Sequence, residues 1–203
     1  MINRALLCLL LIALTGCVAQ PISSTVQWRT HHADMHALQE WQLIGKMGYR
    51  TDHDNGSAWI NWQQHTTDFD VHLSGPFGAG TTRIYGGQRT AVLSQAGKDD
   101  VTSNSAATLS QTLFGWTLPV QHLSYWVKGI PSAHLPVTRS RLDQHQLLEH
   151  LEQGHWQLTF SRYQHTELGL LPGKIVADYH SSTEQPLHIV LVIKAWNRPA
   201  EGR

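Results

Sequence analysis

Cysteine is almost missing from this chain of 203 residues. Its two cysteines, Cys8 and Cys17, lie near the N-terminus, and no other cysteine follows them. If the leading residues are cleaved and Cys17 is modified, the folded part keeps neither a thiol nor a disulfide. Redox and thiol chemistry are therefore excluded for that part.

An excess of charge of one sign is lacking as well. Lys and Arg together number 15, Asp and Glu together number 15, and the formal net charge is zero. Domains that bind nucleic acid carry clustered positive charge, which attracts the phosphates of their ligand. The balance of charge therefore argues against nucleic acid as a partner.

The sequence also lacks the short patterns of common catalytic and metal sites. It contains no Gly-x-Ser-x-Gly, Ser-x-x-Lys or His-Glu-x-x-His motif. The segment from Asp52 starts like a calcium loop, but Gly56 and Gln63 stand where that loop requires an oxygen ligand and Glu. His32 and His36 could share one helix face, yet no carboxylate or cysteine completes a metal set. We expect no enzyme activity, metal or cofactor.

A long apolar run is found only at the N-terminus. Arg4 precedes the apolar residues 5–14, and Leu14-Thr15-Gly16-Cys17 ends the segment. A positive charge, about ten apolar residues and a pair of small residues are the parts of a secretory signal. The run is too short to span a bilayer, which takes roughly 20 residues. Residues 1–16 are therefore predicted to be a cleaved signal peptide.

Small residues followed directly by Cys17 resemble the signal of bacterial lipoproteins. The resemblance implies that Cys17 is acylated on its thiol and, after cleavage, on its new amine. Each buried methylene contributes ~0.8 kcal/mol, and two acyl chains already anchor a protein stably. Val18 stands where Asp would retain an enterobacterial lipoprotein in the inner membrane, which implies the outer membrane. An ordinary secretory signal that happens to end near a cysteine is the alternative.

Residues 17–27 are polar after Cys17 and contain Pro21, which is typical of a flexible tether. The following residues 28–38 place Trp28, Met35 and Leu38 at helical spacing, with His31 on the same face. The chain is therefore predicted to pass from a lipidated tether into a first helix.

Period-two alternation then predicts an antiparallel meander. The predicted strands cover residues 42–49, 57–64, 69–73, 81–85, 89–94, 156–160, 174–179 and 187–196, with a short strand near Val101. Asn55-Gly56 predicts a type I′ hairpin turn, and Gly86-Gly87 predicts another hairpin. Residues 146–151 fit either a strand or a helix. Val190 and Val192 make the second face of the last strand apolar, so we expect it to be covered on both sides.

Two further helices are predicted, over residues 105–114 and 120–128. Ser105 or Asn104 suits the N-cap of the first helix, and Gly115 suits its end. Pro119 suits the start of the second helix, and Gly129 its end. The chain is thus mainly β, with strands and helices in separate runs.

The string Leu118-Pro119-Val120, with Leu123 and Trp126-Val127-Lys128-Gly129-Ile130-Pro131 after it, resembles the LolB family of outer-membrane lipoprotein receptors. Gln27-Trp28-Arg29, Trp62-Gln63-Gln64 and Pro76-Phe77-Gly78 agree with that family in order and spacing. The resemblance covers nearly the whole chain after the signal. It implies a single antiparallel sheet curved into an open half-barrel, with about three helices over its concave side. Residues 28–197 would form this lipid-binding domain, and residues 198–203 a polar tail.

The resemblance also implies a function and its partners. A receptor of this family takes the acyl chains of a lipoprotein from the periplasmic carrier LolA into an apolar cavity. It then releases the lipoprotein into the outer membrane, without ATP or a cofactor. The implied partners are LolA, the lipoprotein cargo and outer-membrane lipid, and we expect a monomer on the periplasmic face of that membrane.

Family positions near the core and the acyl-chain cavity fall on five tryptophans, namely Trp28, Trp62, Trp126, Trp156 and Trp196. Phe77 falls at the tip of the family's protruding loop, where Leu is frequent, and is implied to help deliver cargo to the membrane. From the residues alone, each tryptophan could equally be plain core, and Phe77 could fold back onto the core.

Three other functions stay open at this stage. The protein could bind another lipid, such as a glycolipid or a free fatty acid, which the sequence does not separate from lipoprotein acyl chains. It could be a scaffold lipoprotein without transfer activity. It could also be an anchored enzyme such as an esterase, although no catalytic motif supports that.

Overall fold

The computed structural model describes residues 26–75, 80–114, 119–181 and 185–199. The described helices are α1 (Trp28–Ala37), α2 (Ala106–Phe114) and α3 (Val120–Trp126). The described strands are β1 (Glu40–Arg50), β2 (Asn55–His65), β3 (Asp68–Ser74), β4 (Thr81–Gly86), β5 (Ala91–Gln95), β6 (Val101–Ser103), β7 (Val137–Leu142), β8 (Leu148–Gln153), β9 (Trp156–Ser161), β10 (Gln164–Thr166), β11 (Gly169–Leu171), β12 (Lys174–Tyr179) and β13 (Leu187–Asn197). Among the described residues, no helix combines the length and the apolar character that crossing a bilayer requires.

Eleven strands form one antiparallel sheet in the order β6-β5-β4-β3-β2-β1-β13-β12-β9-β8-β7, and β10 and β11 pair separately. The first six strands are neighbours in sequence, whereas β13 returns to lie beside β1. The sheet does not close, because β6 and β7 are its two edges and do not pair. The predicted class is confirmed, since the described residues form a mainly β chain with one unclosed antiparallel sheet and three helices.

One face of this sheet carries the apolar core. Trp41, Leu43, Gly45 and Met47 of β1 are buried, while the residues that alternate with them are half-buried or exposed. The same alternation runs through β13, where Leu187 and Ile193 lie on the buried face. Burying one such side chain contributes about 1.5–3 kcal/mol. The concave face is therefore the side that the helices must cover.

Gly45 allows β1 and β13 to approach closely. The register between these strands shifts at Ile44 and Gly45, which marks a β-bulge. A Cβ atom on Gly45 would collide with the carbonyl oxygen of Val192 and lie 3.2 Å from the Cα atom of Ile193. A bulge increases the local twist of a strand, which helps the long sheet to curve.

The hairpin turn predicted at Asn55-Gly56 is wrong. Both residues belong to β2, and Gly56 pairs with Tyr49 of β1. The chain turns instead between Thr51 and Asp54, where the Thr51 Oγ1 atom accepts a hydrogen bond from the Asp54 backbone N–H at 3.0 Å. The Asp54 carboxylate in turn accepts one from the Asn55 backbone N–H at 2.8 Å. These side-chain bonds stabilise a four-residue turn that the dipeptide rule does not anticipate.

Most other predicted elements lie within a few residues of the observed ones. Ser105 is confirmed as a cap of α2, because its Oγ atom accepts a hydrogen bond from the Thr108 backbone N–H at 3.1 Å. The predicted end of that helix at Gly115 lies outside the described residues. Helix α3 ends at Trp126, two residues earlier than predicted, and the chain turns to Gly129 at a φ of +73°.

Three features of the sheet differ from the predictions or were left open by them. The ambiguous segment 146–151 is a strand over its last four residues, since β8 begins at Leu148. Strand β7 was not predicted, because its first five residues are all exposed and show no alternation. The expectation that β13 is covered on both sides is wrong, since Val190 and Val192 are only half-buried.

The side-chain amide of Gln153 joins α3 to the far end of the sheet. Its residue is fully buried, and its Oε1 atom accepts hydrogen bonds from the Trp126 indole at 2.8 Å and the Ser132 backbone N–H at 2.9 Å. Its Nε2 atom donates to the carbonyl oxygens of Ser132 at 3.0 Å and Leu135 at 2.8 Å. Four hydrogen bonds therefore fix the helix end and the segment after it to β8.

We expect Gln153→Leu to lower the free energy of unfolding by about 3 kcal/mol or more, because it leaves several buried polar groups without partners. The measurement is chemical denaturation followed by circular dichroism. Gln157→Leu is the matched control, since Gln157 is exposed on neighbouring β9 and its change is expected within about 0.5 kcal/mol. Equal stability of the two variants would contradict a structural role for the amide.

Candidate functional site

An apolar cavity of about 100 Å³ lies between the concave face of the sheet and helices α2 and α3. Strands on both sides of β1 contribute to it, and so do the two helices. Its wall is formed by Met47, Ile60, Trp62, Phe69, Val71, Leu73, Ile84, Ala106, Ser110, Val120, Leu123, Trp126, Val127, Leu158, Ile175, Ala177, Ile189 and Leu191.

The wall of this cavity offers almost no hydrogen-bonding groups. The polar residue among those lining it is Ser110, whose hydroxyl donates to the carbonyl oxygen of Ala107 at 2.7 Å. The two indole N–H groups in the wall also have partners, since Trp62 donates to Gln64 at 3.1 Å and Trp126 donates to Gln153 at 2.8 Å. The site therefore suits hydrocarbon rather than a polar ligand.

A larger and more polar groove of about 700 Å³ adjoins the cavity. The two spaces share the wall residues Trp62, Phe69, Ala106 and Val120. The groove is also lined by Gln39, Gln64, Thr66, Gln88, Gln121, Ser124, Tyr125, Lys128 and His134, among others. An amphipathic ligand could thus lie with its apolar part in the cavity and its polar part in the groove.

Two of the five tryptophans singled out in the sequence, Trp62 and Trp126, line the cavity. Trp62 also packs against Trp41, with ring centroids 4.9 Å apart. Trp156 lies behind Trp126, with ring centroids 5.8 Å apart, and does not line the cavity. The structure therefore brings Trp62 and Trp126 together at one site and places Trp156 beside it.

Trp196 and Trp28 lie away from the cavity wall. Trp196 is buried, packs against Trp41 at 5.5 Å between ring centroids, and donates its indole N–H to the Pro172 carbonyl oxygen at 3.1 Å. Trp28 is half-buried on α1, where its ring lies 5.5 Å from that of His32. Both positions fit packing of the fold rather than contact with a ligand.

Cys17 and Phe77, the other two residues singled out, lie outside the described residues. The described ends of the Phe77 loop belong to one hairpin, since Ser74 of β3 pairs with Thr81 of β4. The backbone N–H of Gly75 donates to the carbonyl oxygen of Gly80 at 3.4 Å. Phe77 is thus carried by the connection of a regular β-hairpin.

The aliphatic wall residues were not identified as site residues from the sequence. Ile60, Leu73 and Leu191 alternate with polar or half-buried neighbours and read simply as core. The alternation gives the face that each side chain occupies, but not whether helices and sheet meet without a gap. Only the three-dimensional packing separates cavity wall from filled core.

A buried Ser–His pair was also missed, and its geometry favours a structural role. The Nδ1 atom of His122 lies 2.9 Å from the Oγ atom of Ser132. Burial and the neighbouring His134 lower the pKa of His122. Ser132 is 2% exposed, its Oγ atom accepts the His134 backbone N–H at 3.2 Å, and neither member of the pair lines the cavity.

The described residues hold no group of three or more His, Cys, Asp or Glu side chains that could bind a metal ion. His32 and His36 stack on one face of α1, with ring centroids 6.3 Å apart. Burial and the charge of His36 lower the pKa of His32, which is the direction expected for two adjacent imidazoles.

Sequence comparison with known proteins identifies a family and relatives of this chain. Residues 39–196 match the family model described as "Outer membrane lipoprotein LolB". The outer-membrane lipoprotein LolB of Cellvibrio japonicus is 36% identical over 200 residues, covering 94% of this chain and 96% of that protein. The protein of the same name from Stutzerimonas stutzeri is 36% identical over 205 residues, covering 97% and 95%.

Among solved structures, a LolA superfamily protein from Nitrosomonas europaea has a similar fold. Its TM-score is 0.55 at 8% sequence identity, over 87% of this chain and 96% of that one. This likeness concerns the fold alone. The family match and the two relatives cover most of the chain, and the chain therefore belongs to the LolB family of outer membrane lipoproteins.

Proposed function

We propose that this protein is an outer-membrane receptor that accepts lipoproteins from the periplasmic carrier LolA and inserts them into the membrane. The acyl chains of the cargo occupy the apolar cavity, and acylated Cys17 anchors the receptor at the periplasmic face. The single observation that carries the proposal is the cavity between α2, α3 and the concave face, whose wall is apolar.

The physical chemistry of the cavity suits a transfer step. Moving acyl chains out of water is favourable by about 0.8 kcal/mol per buried methylene. An apolar wall provides this favourable free energy by removing the acyl chains from water, and it requires no specific hydrogen bond. Because the sheet is unclosed, the chains can leave by the same side and need not cross a sealed barrel. Binding of this kind needs no nucleotide.

The size of the cavity implies that helices move when cargo binds. An apolar cavity of roughly 150 Å³ is enough for benzene, and this cavity measures about 100 Å³. An acyl chain of a lipoprotein is much larger than benzene. On this proposal, uptake of an acyl chain separates part of the helical cover from the sheet.

Helix α2 is the element that we expect to move. Helix α3 is held to β8 by the buried amide of Gln153. Helix α2 instead packs against the outer strands through apolar contacts, in which Leu109 meets Ile84 and Leu93. Apolar contacts are not directional, so α2 can shift along the sheet at a smaller free-energy cost than α3.

Delivery to the membrane is assigned to Phe77. Its loop joins β3 to β4, both of which contribute cavity wall through Leu73 and Ile84. An aromatic ring on a connection rich in glycine and proline suits insertion into the lipid interface. Phe77 at the bilayer would bring the cavity near the membrane, so that acyl chains would not cross open water.

The first test fills the cavity. Ala177→Leu adds three carbon atoms to the wall, so the free energy of unfolding should stay equal or rise, while acyl-chain binding falls more than about tenfold. The measurement is transfer of a labelled lipoprotein from purified LolA to the variant. Ala195→Leu is the matched control, since Ala195 lies on β13 outside the cavity wall. Normal uptake by Ala177→Leu would contradict the cavity as the acyl-chain site.

Tryptophan fluorescence tests the same site without the carrier. Saturating palmitoylated peptide should change the emission of the wild-type protein, and Trp62→Phe or Trp126→Phe should remove most of that change. Trp196→Phe should keep it, because Trp196 does not line the cavity. An unchanged emission spectrum and melting temperature in the wild-type protein at saturation would refute acyl-chain binding altogether.

Phe77→Glu separates uptake from delivery. A charge is unfavourable where an apolar ring would enter lipid, so this variant should fold, accept cargo from LolA and deliver it poorly to liposomes. Phe77→Leu should behave almost like the wild type. The measurement is a two-stage transfer assay with purified carrier, receptor and liposomes. Delivery at the parental rate, or failure already at the carrier stage, would contradict this role of the loop.

A further inference from the structure

Lys128 is a buried cation at the boundary between the apolar cavity and the polar groove. It is 4% exposed and lines the groove, directly after the cavity residues Trp126 and Val127. Burial lowers the pKa of its ammonium group to about 8. No described Asp or Glu forms an ion pair with it. A buried charge without a counter-charge is destabilising, which makes Lys128 a candidate for a functional contact.

Contacts within the fold use only part of the hydrogen-bonding capacity of this ammonium group. Its Nζ atom donates to the carbonyl oxygen of Leu38 at 2.9 Å, and Leu38 is the C-cap residue of α1. It also lies 5.6 Å from the centre of the Tyr125 ring. A lysine ammonium has three N–H donors. The contacts made by described residues thus use one donor for a hydrogen bond and leave two for a ligand.

The neighbouring polar groups of the groove are less free to bind a ligand. Gln64 is buried, its Oε1 atom accepts from Trp62 at 3.1 Å, and its Nε2 atom donates to the Thr66 carbonyl oxygen at 3.0 Å. The Gln64 amide keeps one N–H donor. Lys128 keeps two and carries a charge, so it is the buried residue of the groove with the larger remaining hydrogen-bonding capacity. A chain that fills the cavity and emerges past Trp62 would place its polar head in this groove.

We propose that the groove is a subsite for the head of the acyl chains, in which the ammonium of Lys128 donates hydrogen bonds to their ester or amide carbonyl oxygens. This inference rests on the proposed function, since it takes the acyl chains to lie in the cavity. Lys128 already bonds a neutral carbonyl oxygen at Leu38, and hydrogen bonds from an ionised donor are about twice as strong as neutral ones. Hydrogen bonds to the cargo carbonyls would also offset the free-energy cost of burying the ammonium charge.

The test compares two lipopeptides that differ only at these carbonyls. One carries two palmitoyl chains in ester linkage, and the other carries two hexadecyl chains in ether linkage. Both have the same peptide head, whose N-terminal amine is not acylated. The wild-type protein should bind the ester form at least about tenfold more tightly. Lys128→Met should bind both forms with similar affinity, close to that of the wild type for the ether form. Lys46→Met, a control on the exposed side of β1, should keep the ester preference.

The ratio of the two affinities separates a ligand contact from a structural role. A merely structural Lys128 would weaken both lipopeptides equally in Lys128→Met and leave the ratio unchanged, which overturns the proposal. Equal binding of both forms by the wild type overturns it as well, whether or not Lys128→Met folds. Lys128→Arg, which keeps an ionised donor, should retain a preference for the ester form.

Three outcomes distinguish the ligand class and the proposed function. Tighter, Lys128-dependent binding of free palmitate than of the ester lipopeptide would replace the carbonyl assignment with a carboxylate. Binding of neither lipopeptide would refute the acyl-chain cavity itself. Binding of the ether form without any ester preference would leave the cavity intact and refute only the headgroup subsite.

Discussion

The buried amide of Gln153 holds the arrangement on which the cavity depends. It accepts from the indole of Trp126 and from the backbone of Ser132, and donates to two carbonyl oxygens. These bonds place one wall residue of the cavity at a fixed position over β8. A neutral amide can satisfy two donors and two acceptors at once, which no charged or apolar side chain of similar size can do. The position of α3 in the helical cover therefore depends on the side chain of Gln153.

The unclosed sheet sets the second constraint. Its concave face is apolar along β1, β2 and β13, so it requires cover, yet a complete side-chain core would leave no space for a ligand. A small cavity remains beneath two short helices, and these helices are held to the sheet by different kinds of contact. Helix α3 is fixed by directional hydrogen bonds, and α2 is held mainly by apolar packing. This difference is the basis of the proposal that α2, rather than α3, moves when cargo binds.

The sequence predicted regular elements well where one periodicity dominated. Alternation located the strands that bury one face, such as β9 from Trp156 to Ser161. It missed β7, whose first five residues are exposed, because a strand without a buried face carries no alternation. The turn dipeptide Asn55-Gly56 misled because the side chains of Thr51 and Asp54 stabilise a turn just before it.

The candidate site was less predictable than the fold. Family resemblance pointed to five tryptophans, but only the packing of helices on the sheet shows that Trp62 and Trp126 line the cavity while Trp196 does not. Lysine is usually exposed, so nothing in the sequence marks Lys128 as buried. Its burial arises because α1 ends above it and offers a carbonyl oxygen at Leu38. Both the tryptophans that line the cavity and the burial of Lys128 depend on contacts between segments that are remote in sequence.

The open edges of the sheet have a consequence for a protein that is anchored in a membrane. Among the described residues, no strand pairs with the outer side of β6 or of β7, and an unpaired strand edge can template polymerisation between neighbouring copies. Strand β6 is only three residues long, and β7 carries Arg139 and Arg141. Both arginine side chains are mostly exposed, so a strand that added to this edge would have to remove them from water. Short length at one edge and charge at the other let the sheet stay open without becoming a seed for aggregation.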